Sequence, residues 1–379
     1  MVAPSASVNA GLAPQERGTP TAAPEVAQGN GSLTPVNRRT FLIETAAAGG
    51  WLLAGLGLGS CAPAAKTLGP RAQSGALPFP TRQQALERTN LVVRSGLLAA
   101  QYRIGSPPPE TTYDLRGLIS TAYPHPTAFP LSFGEDKPGV GTVLVGGTVL
   151  GQLPKDITWE EVYATFDSVG AGLLLAGRDY SAAYDVRADN VFDGFRPRAP
   201  EDDPAGAVFL LEGAYFTTIR DDAVENDETL TGFINDCLFD GVHMGVSLGQ
   251  ATPNPDAVTT IEDCIFAFKP FPNDKAPGGL GHGRIFKYFP GGGSVVVRNC
   301  IIYYETTPID VEFTTVWPKG TYDNVVIVLG PRYDGNGNGN FTDLDHPGRL
   351  PRGVEQTRDV TVYKRAREKW LIGHGYPGR

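Results

Sequence analysis

Phe233 to Gly241 reads FINDCLFDG, Thr260 to Phe268 reads TIEDCIFAF, and Val296 to Tyr304 reads VVRNCIIYY. Each stretch is apolar, then a polar or acidic pair, then a cysteine, then apolar again. YDNVVIVLG repeats the pattern with Val325 in the cysteine's place, and RADNVFDGF around Val191 reads as an earlier copy. The cysteine position falls at 237, 264, 300 and 325, giving intervals of 27, 36 and 25 residues. A strand motif recurring at such a period marks a solenoid. One coil cannot bury its own apolar face, so coils stack about 4.8 Å apart and share a core. The pattern predicts an all-β chain, a single-stranded right-handed parallel β-helix over 140–362, with Cys237, Cys264 and Cys300 as an inward-facing ladder. The unequal intervals then mark loops such as Lys269 to Gly283 that leave one coil.

Composition agrees with a turn-rich β protein. Among 379 residues there are 47 Gly and 32 Pro, too many helix breakers for a helical bundle. The formal charge of -9, with no basic stripe, excludes a nucleic-acid-binding surface. A disulfide is the competing account of the cysteines. Three is an odd number, however, and buried thiols behave as small hydrophobes, so the ladder reads as unpaired. No C-x-x-C or H-x-x-x-H spacing supports a zinc site.

Residues 1–36 are rich in Pro, Ala, Ser and Gly without apolar periodicity and are expected to be disordered. Arg38 and Arg39 then precede Phe41 and Leu42, and no charged residue occurs from Thr45 to Ala65. This resembles a twin-arginine export signal. Leu58 to Cys61, LGSC, resembles a lipobox, which would make Cys61 the lipidated N-terminus of a membrane-anchored lipoprotein. Ala62 to Ala64 offers an alternative cleavage site for a soluble secreted product. The expected organisation is a signal region over 1–64, an irregular tether and cap over 65–139, the β-helix over 140–362 and a C-terminal tail over 363–379.

The stretch IRDDAVEND, Ile219 to Asp227, gathers acids inside this strand-rich region, and His243 follows 21 residues after Asp222. On a β-helix wall, acids of successive coils fall within a few ångströms to about 10 Å of one another. That range includes the carboxyl separations of glycoside cleavage, about 5.5 Å for retention and about 6.5 to 9.5 Å for inversion.

Here the chain resembles the polygalacturonase-like glycoside hydrolases, which are right-handed parallel β-helices of the pectate-lyase-like superfamily. RDD at Arg220 to Asp222, GVHMGVSLG from Gly241, Asp193 in NVFDGF, and RIFK at Arg284 to Lys287 carry the resemblance. It implies Asp221 as general acid, Asp193 and Asp222 as activators of water, and His243 as a modulator of the acid. Arg284 and Lys287 would grip an anionic sugar. The chain departs from that family in lacking its Asn-Thr-Asp and in having Val-His-Met where Gly-His-Gly is usual; a separate Gly-His-Gly stands at Gly281 to Gly283. A calcium-dependent lyase would instead take Arg220 as base. In the plainer reading the acids cap turns, and the solenoid is a non-catalytic surface that binds glycan or protein.

DGNGNGNFTDLD, Asp334 to Asp345, matches the Ca²⁺ loop pattern D-x-[DN]-x-[DN]-G with an acid at the twelfth place. The expected ligands of a structural Ca²⁺ are Asp334, Asn336, Asn338, the Asn340 carbonyl and Asp345; a flexible Gly-Asn linker is the alternative. Pro347 blocks an exiting helix, so the loop is not an EF-hand. The expected protein is an exported envelope monomer acting on an acidic polysaccharide, touching membrane only through a lipid anchor and binding no nucleic acid.

Overall fold

The computed structural model describes residues 78–124, 129–166, 170–200, 206–309, 317–334 and 350–376. Within them the chain is all-β and forms a parallel β-helix whose coils have three faces. The first face runs through residues 112–114, 142–145, 180–184, Val208–Glu212, Thr231–Asn235, Val258–Glu262 and Ser294–Arg298. The second includes Thr148–Leu150, Arg187–Asp189, residues 215–217 and 238–240, Ile265–Phe268 and Ile301–Thr306. The third includes Leu131–Phe133, residues 171–176, Asp193–Arg198, residues 246–248 and Phe286–Tyr288.

The polar pair of the repeat makes the corner between the first and second faces. Its second member is Asp236, Asp263, Asn299 or Asn324, at φ of 51°, 55°, 53° and 51°. This left-handed region is costly for most L-residues and is tolerated by Asp and Asn. Asp185 and Gly213 hold the same place two and one coils before Asp236, at φ of 54° and 69°. Each turn is tied to the next coil, since the N–H groups of Asp236, Asp263 and Asn299 donate to the carbonyls of Glu262, Arg298 and Asp323 at 3.0 to 3.1 Å.

The small residue that follows the corner is always inside. Val186, Ala214, Cys237, Cys264, Cys300 and Val325 are buried, and the three cysteines are free. Their thiols donate to the carbonyls of Asn235, Glu262 and Arg298 at 3.1 Å. Burial pushes the Cys264 and Cys300 thiols well above the usual range, which keeps them uncharged. Aromatic rings fill much of the remaining interior. Phe216, Phe239 and Phe266 stack from coil to coil with centroids 5.5 and 4.6 Å apart.

Three expectations about organisation change. Parallel pairing begins at Leu91, where Leu91–Leu98 lies on Thr112–Ser120, so much of the stretch expected as tether is coil. Its strands are interrupted by Pro-rich loops that hide their alternation. The expected tail belongs to a helix. A short helix α1 (Arg82–Leu86), a second helix α2 (Trp159–Phe166) and a C-terminal helix α3 (Thr361–Gly373) all lie outside the coils. Tyr363, Trp370 and Leu371 of α3 cover Tyr215, Leu238, Ile265 and Tyr303, an apolar row on the outer wall of the second face. RADNVFDGF, finally, marks a different corner. Asn190, with φ of 57°, turns the chain from the second face to the third, as Thr218 and Gly241 do in the next coils.

The corner predicts a substitution pattern. Asp263→Val should destabilise the protein by about 1–2 kcal/mol because a β-branched residue resists this φ, whereas Asp263→Gly should cost a few tenths. Urea midpoints would check this; equal midpoints would remove conformational selection as the reason for the repeat.

Candidate functional site

Asp221 and Asp222 lie where Tyr215–Asn226 bends from the second face into the third. Ile219 pairs with Val242 and Asp222 with Met244, so Arg220 and Asp221 together oppose His243. This extra residue is a β-bulge. It breaks the alternation that would send the two aspartates to opposite sides of the wall. One coil earlier, the Oδ1 of Asp193 accepts the Asp222 N–H at 3.1 Å. One oxygen each of Asp193, Asp221 and Asp222 falls within 4.8 Å of the others, and none of the three residues is more than 4% exposed.

The cations come from coils on either side. Lys287 Nζ lies 3.0 Å from Asp222 Oδ2 and 3.6 Å from Asp221 Oδ2. It stands in register with Ser247 and, one coil further, Glu225. Arg196 lies 3.6 Å from Asp193 Oδ2 and donates to Glu225 Oε2. Asp227 is held by Ser247, whose hydroxyl donates to it at 2.6 Å.

Burial decides the protonation states. It raises Asp193 to about 7; Arg196 opposes the rise, and the charges of Asp221 and Asp222 add to it. It also raises Asp221 against the pull of Lys287, and carries Asp222 and Glu225 well above the usual carboxylate range. Burial works against the Lys287 ammonium, but the attraction of Asp221, Asp222, Asp227 and Glu225 outweighs it and keeps the lysine charged. His243 drops to about 3, through burial and then the nearby lysine. Its ring is therefore neutral, and the 3.8 Å approach of Nδ1 to Asp221 Oδ1 is a polar contact rather than an ion pair. Burial thus favours the protonated form across the cluster, with Asp193 poised near neutral pH.

A roof covers one side of it. Trp159, at the start of α2, stacks on His243 with centroids 6.1 Å apart and on Tyr163 at 4.9 Å. The loop after Phe268 meets this helix, with the Asp274 N–H donating to Glu160 Oε2 at 3.0 Å and Lys275 lying 5.6 Å from the Trp159 ring centroid. Both ring nitrogens of His243, Glu160 Oε1 and Asp222 Oδ1 are buried there without a hydrogen bond from protein. Buried polar atoms are usually hydrogen-bonded, so these four have room to take a polar partner from outside the protein. On the other flank a cavity of about 270 Å³ is lined by Arg196, Arg198, Glu225, Asp227, Glu228 and Gln250.

Of the residues singled out from sequence, Asp193, Asp221, Asp222, His243 and Lys287 come together. Lys287 is turned onto the acids instead of outward. Arg220 flanks them with its guanidinium 4.8 Å from the Phe271 ring centroid and donates to the Pro154 carbonyl at 3.4 Å. Arg284 is buried beside Met244, its N–H donating to the sulfur at 3.2 Å. His282 of the separate Gly-His-Gly packs against Phe268 and Tyr304 in the core. The N–H of Asp334 is bonded to Thr307 Oγ1 at 2.8 Å. Asn336, Asn338, Asn340 and Asp345 lie outside the described residues, as do Arg38, Arg39 and Cys61. Glu225, Arg196, Asp227 and Trp159 join the site without having been singled out. The strands of Arg196 and Glu225, DGFRPR and YFTTIRDDAVEN, carry several other charges, so nothing local in the sequence set either apart.

No family model, curated protein or solved structure matches the chain. The three aspartates are a donor set that could hold a divalent cation. Lys287 already places a positive charge against two of them, so the residues here fit an ammonium-neutralised carboxyl cluster better than a metal cage.

A pH experiment follows. The folded pKa of Asp193 is raised from 3.8 to about 7, so its stabilising contribution is complete below 3.8 and lost as pH rises through about 7. Asp193→Asn keeps the acceptor for Asp222 N–H and removes the titration. Its urea midpoint should fall less steeply over that pH window than the wild type's; parallel slopes would mean that Asp193 is ionised throughout.

Proposed function

We propose that the protein is an exported carbohydrate-active enzyme that hydrolyses glycosidic bonds in an acidic polysaccharide. The observation that carries this is the convergence of Asp193, Asp221 and Asp222 from successive coils, with oxygens within 4.8 Å and burial raising all three acids. Glycoside hydrolysis needs one carboxyl group that still holds its proton and one that has lost it, within reach of the same bond. Asp221, beside neutral His243, gives its proton to the leaving oxygen. With oxygens this close the pair lies near the separation of about 5.5 Å used for retention, so Asp193, poised near neutrality, attacks the anomeric carbon as the leaving oxygen departs, and water activated by the now ionised Asp221 then releases the sugar from Asp193. Lys287 holds Asp222 and limits the negative charge of the cluster. Sugar approaches from the cavity at Arg196, Glu225 and Asp227, and Trp159 shields the acids from bulk water.

One observation favours a second reading, a non-catalytic glycan-binding wall. The acids are buried beneath Trp159 rather than laid open in a groove, and a β-helix can carry a buried charge cluster for structural reasons alone. A lyase is disfavoured by the placement of Arg220, which lies against Phe271 and Pro154.

Activity on a panel of acidic and neutral polysaccharides, read as new reducing ends and as the ultraviolet absorbance of unsaturated products, separates the three. New reducing ends without absorbance are expected, falling about 10²- to 10⁴-fold in Asp221→Asn. Absorbance would establish a lyase, and silence of the folded protein on every substrate would leave the binding wall.

A further inference from the structure

A second cavity, of about 730 Å³, lies away from the acid cluster on the corner between the first and second faces. Its position follows from the helices. α1 covers the outer wall of the first face, with Ala85 against Val143, Ala182, Tyr184 and Leu210. α3 covers the outer wall of the second face from Tyr215 onward. The corner between them is left as a groove, running past Gly146, Asp185, Gly213 and Asp236, four left-handed turns of successive coils and so roughly 14 Å long. Glycine keeps the floor low: a Cβ on Gly213 would sit 2.6 Å from Asp185 Oδ1, and one on Gly146 would sit 2.7 Å from the Arg116 backbone.

Most charges in the groove are already paired within the protein. Arg82 is paired with Asp185, Arg116 with Asp114 at 2.7 Å, and His374 with Asp236 at 3.2 Å, while Glu212 accepts from Asn235 at 3.2 Å. Arg187 is different. Its guanidinium lies 5.5 Å from the Tyr215 ring centroid and 5.8 Å from that of Tyr376, its Nε is buried without a hydrogen bond, and among the described residues no carboxylate pairs with it. The strand register fixes this place, because Arg187 stands between Thr148 and Tyr215 as their direct cross-strand neighbour. A guanidinium met only by two rings, in a polar groove, leaves its terminal N–H groups for an anion, and a planar carboxylate can accept from both. The partly exposed ring of Tyr376 at the rim offers a face for the C–H side of a sugar, and the paired acids and amides around it offer acceptors and donors for hydroxyl groups. The lining holds no apolar recess for a lipid tail or a hydrophobic peptide anchor.

We infer that this groove is a second glycan site, separate from the acid cluster, which takes a carboxylated sugar with its carboxylate on Arg187 and its ring on Tyr376. The inference does not rest on catalysis at the acid cluster. A groove of this kind would hold a polysaccharide chain on one edge of the solenoid while another part of that chain, or of its neighbour, lies at the third face.

Titration calorimetry of the full chain with trigalacturonate, and with its methyl ester, tests this directly. Trigalacturonate should bind, and the ester, which keeps every hydroxyl but loses the charge, should bind about 10-fold or more weakly. Arg187→Ala and Arg187→Lys should each lose about as much. The inference fails if wild type does not bind, if the acid and its ester bind equally, or if Arg187→Ala leaves affinity unchanged. It fails equally if Asp222→Asn abolishes binding, since the sugar would then sit at the acid cluster. Arg187→Lys keeps the charge and the aliphatic stem beside Tyr215, so it is read in place of Arg187→Ala if circular dichroism shows the alanine variant misfolded.

Discussion

A parallel ladder holds neighbouring coils about 4.8 Å apart, and an outward side chain therefore cannot avoid the one above it. On part of the wall this juxtaposition is apolar and is covered by a helix, as at Tyr215, Leu238 and Ile265 beneath α3. At the bend into the third face it is ionic. The bulge at Arg220 and Asp221 adds one residue to a single coil, turns two consecutive aspartates to the same side, and sets them against Asp193 of the coil before. Backbone hydrogen bonding that gains from stacking thus forces together charges that would separate in solution.

Such a cluster persists only if its charge is reduced. Lys287, two coils after Asp222, and Arg196, one coil before it, supply two cations, and burial holds protons on several of the carboxyl groups. Both ring nitrogens of His243 and Asp222 Oδ1 find no protein partner beneath α2, whereas the aromatic rings of the interior stack from coil to coil.

Much of the fold was legible because the repeat encodes a backbone conformation. The residue before each cysteine is Asp or Asn, which accept the left-handed corner, and the cysteine is small enough for the buried place after it. RADNVFDGF was misplaced for the same reason: Asn190 obeys the identical rule at the next corner, and a local pattern does not say which corner it makes. The first coils escaped notice because Pro and Gly break their strands into short pieces, and the end of the chain because the apolar spacing of Tyr363, Trp370 and Leu371 is legible only once an apolar row exists for it to cover. In the site, residues close in sequence or marked by a motif could be named. Glu225, Arg196 and Trp159 belong to it through cross-coil register and an overlying helix, and neither leaves a trace in one sequence.

Infrared spectroscopy of the folded protein, with ¹³C-labelled aspartate to set those carboxyl groups apart, reads the state of the cluster directly. A protonated aspartate band at neutral pH, diminished in Asp222→Asn, with a component that the wild type loses as pH rises through about 7 and that Asp193→Asn lacks, is the expected result. Fully ionised aspartates at neutral pH in the folded wild type would contradict a wall that stores protons, and with it the chemistry assigned to the third face.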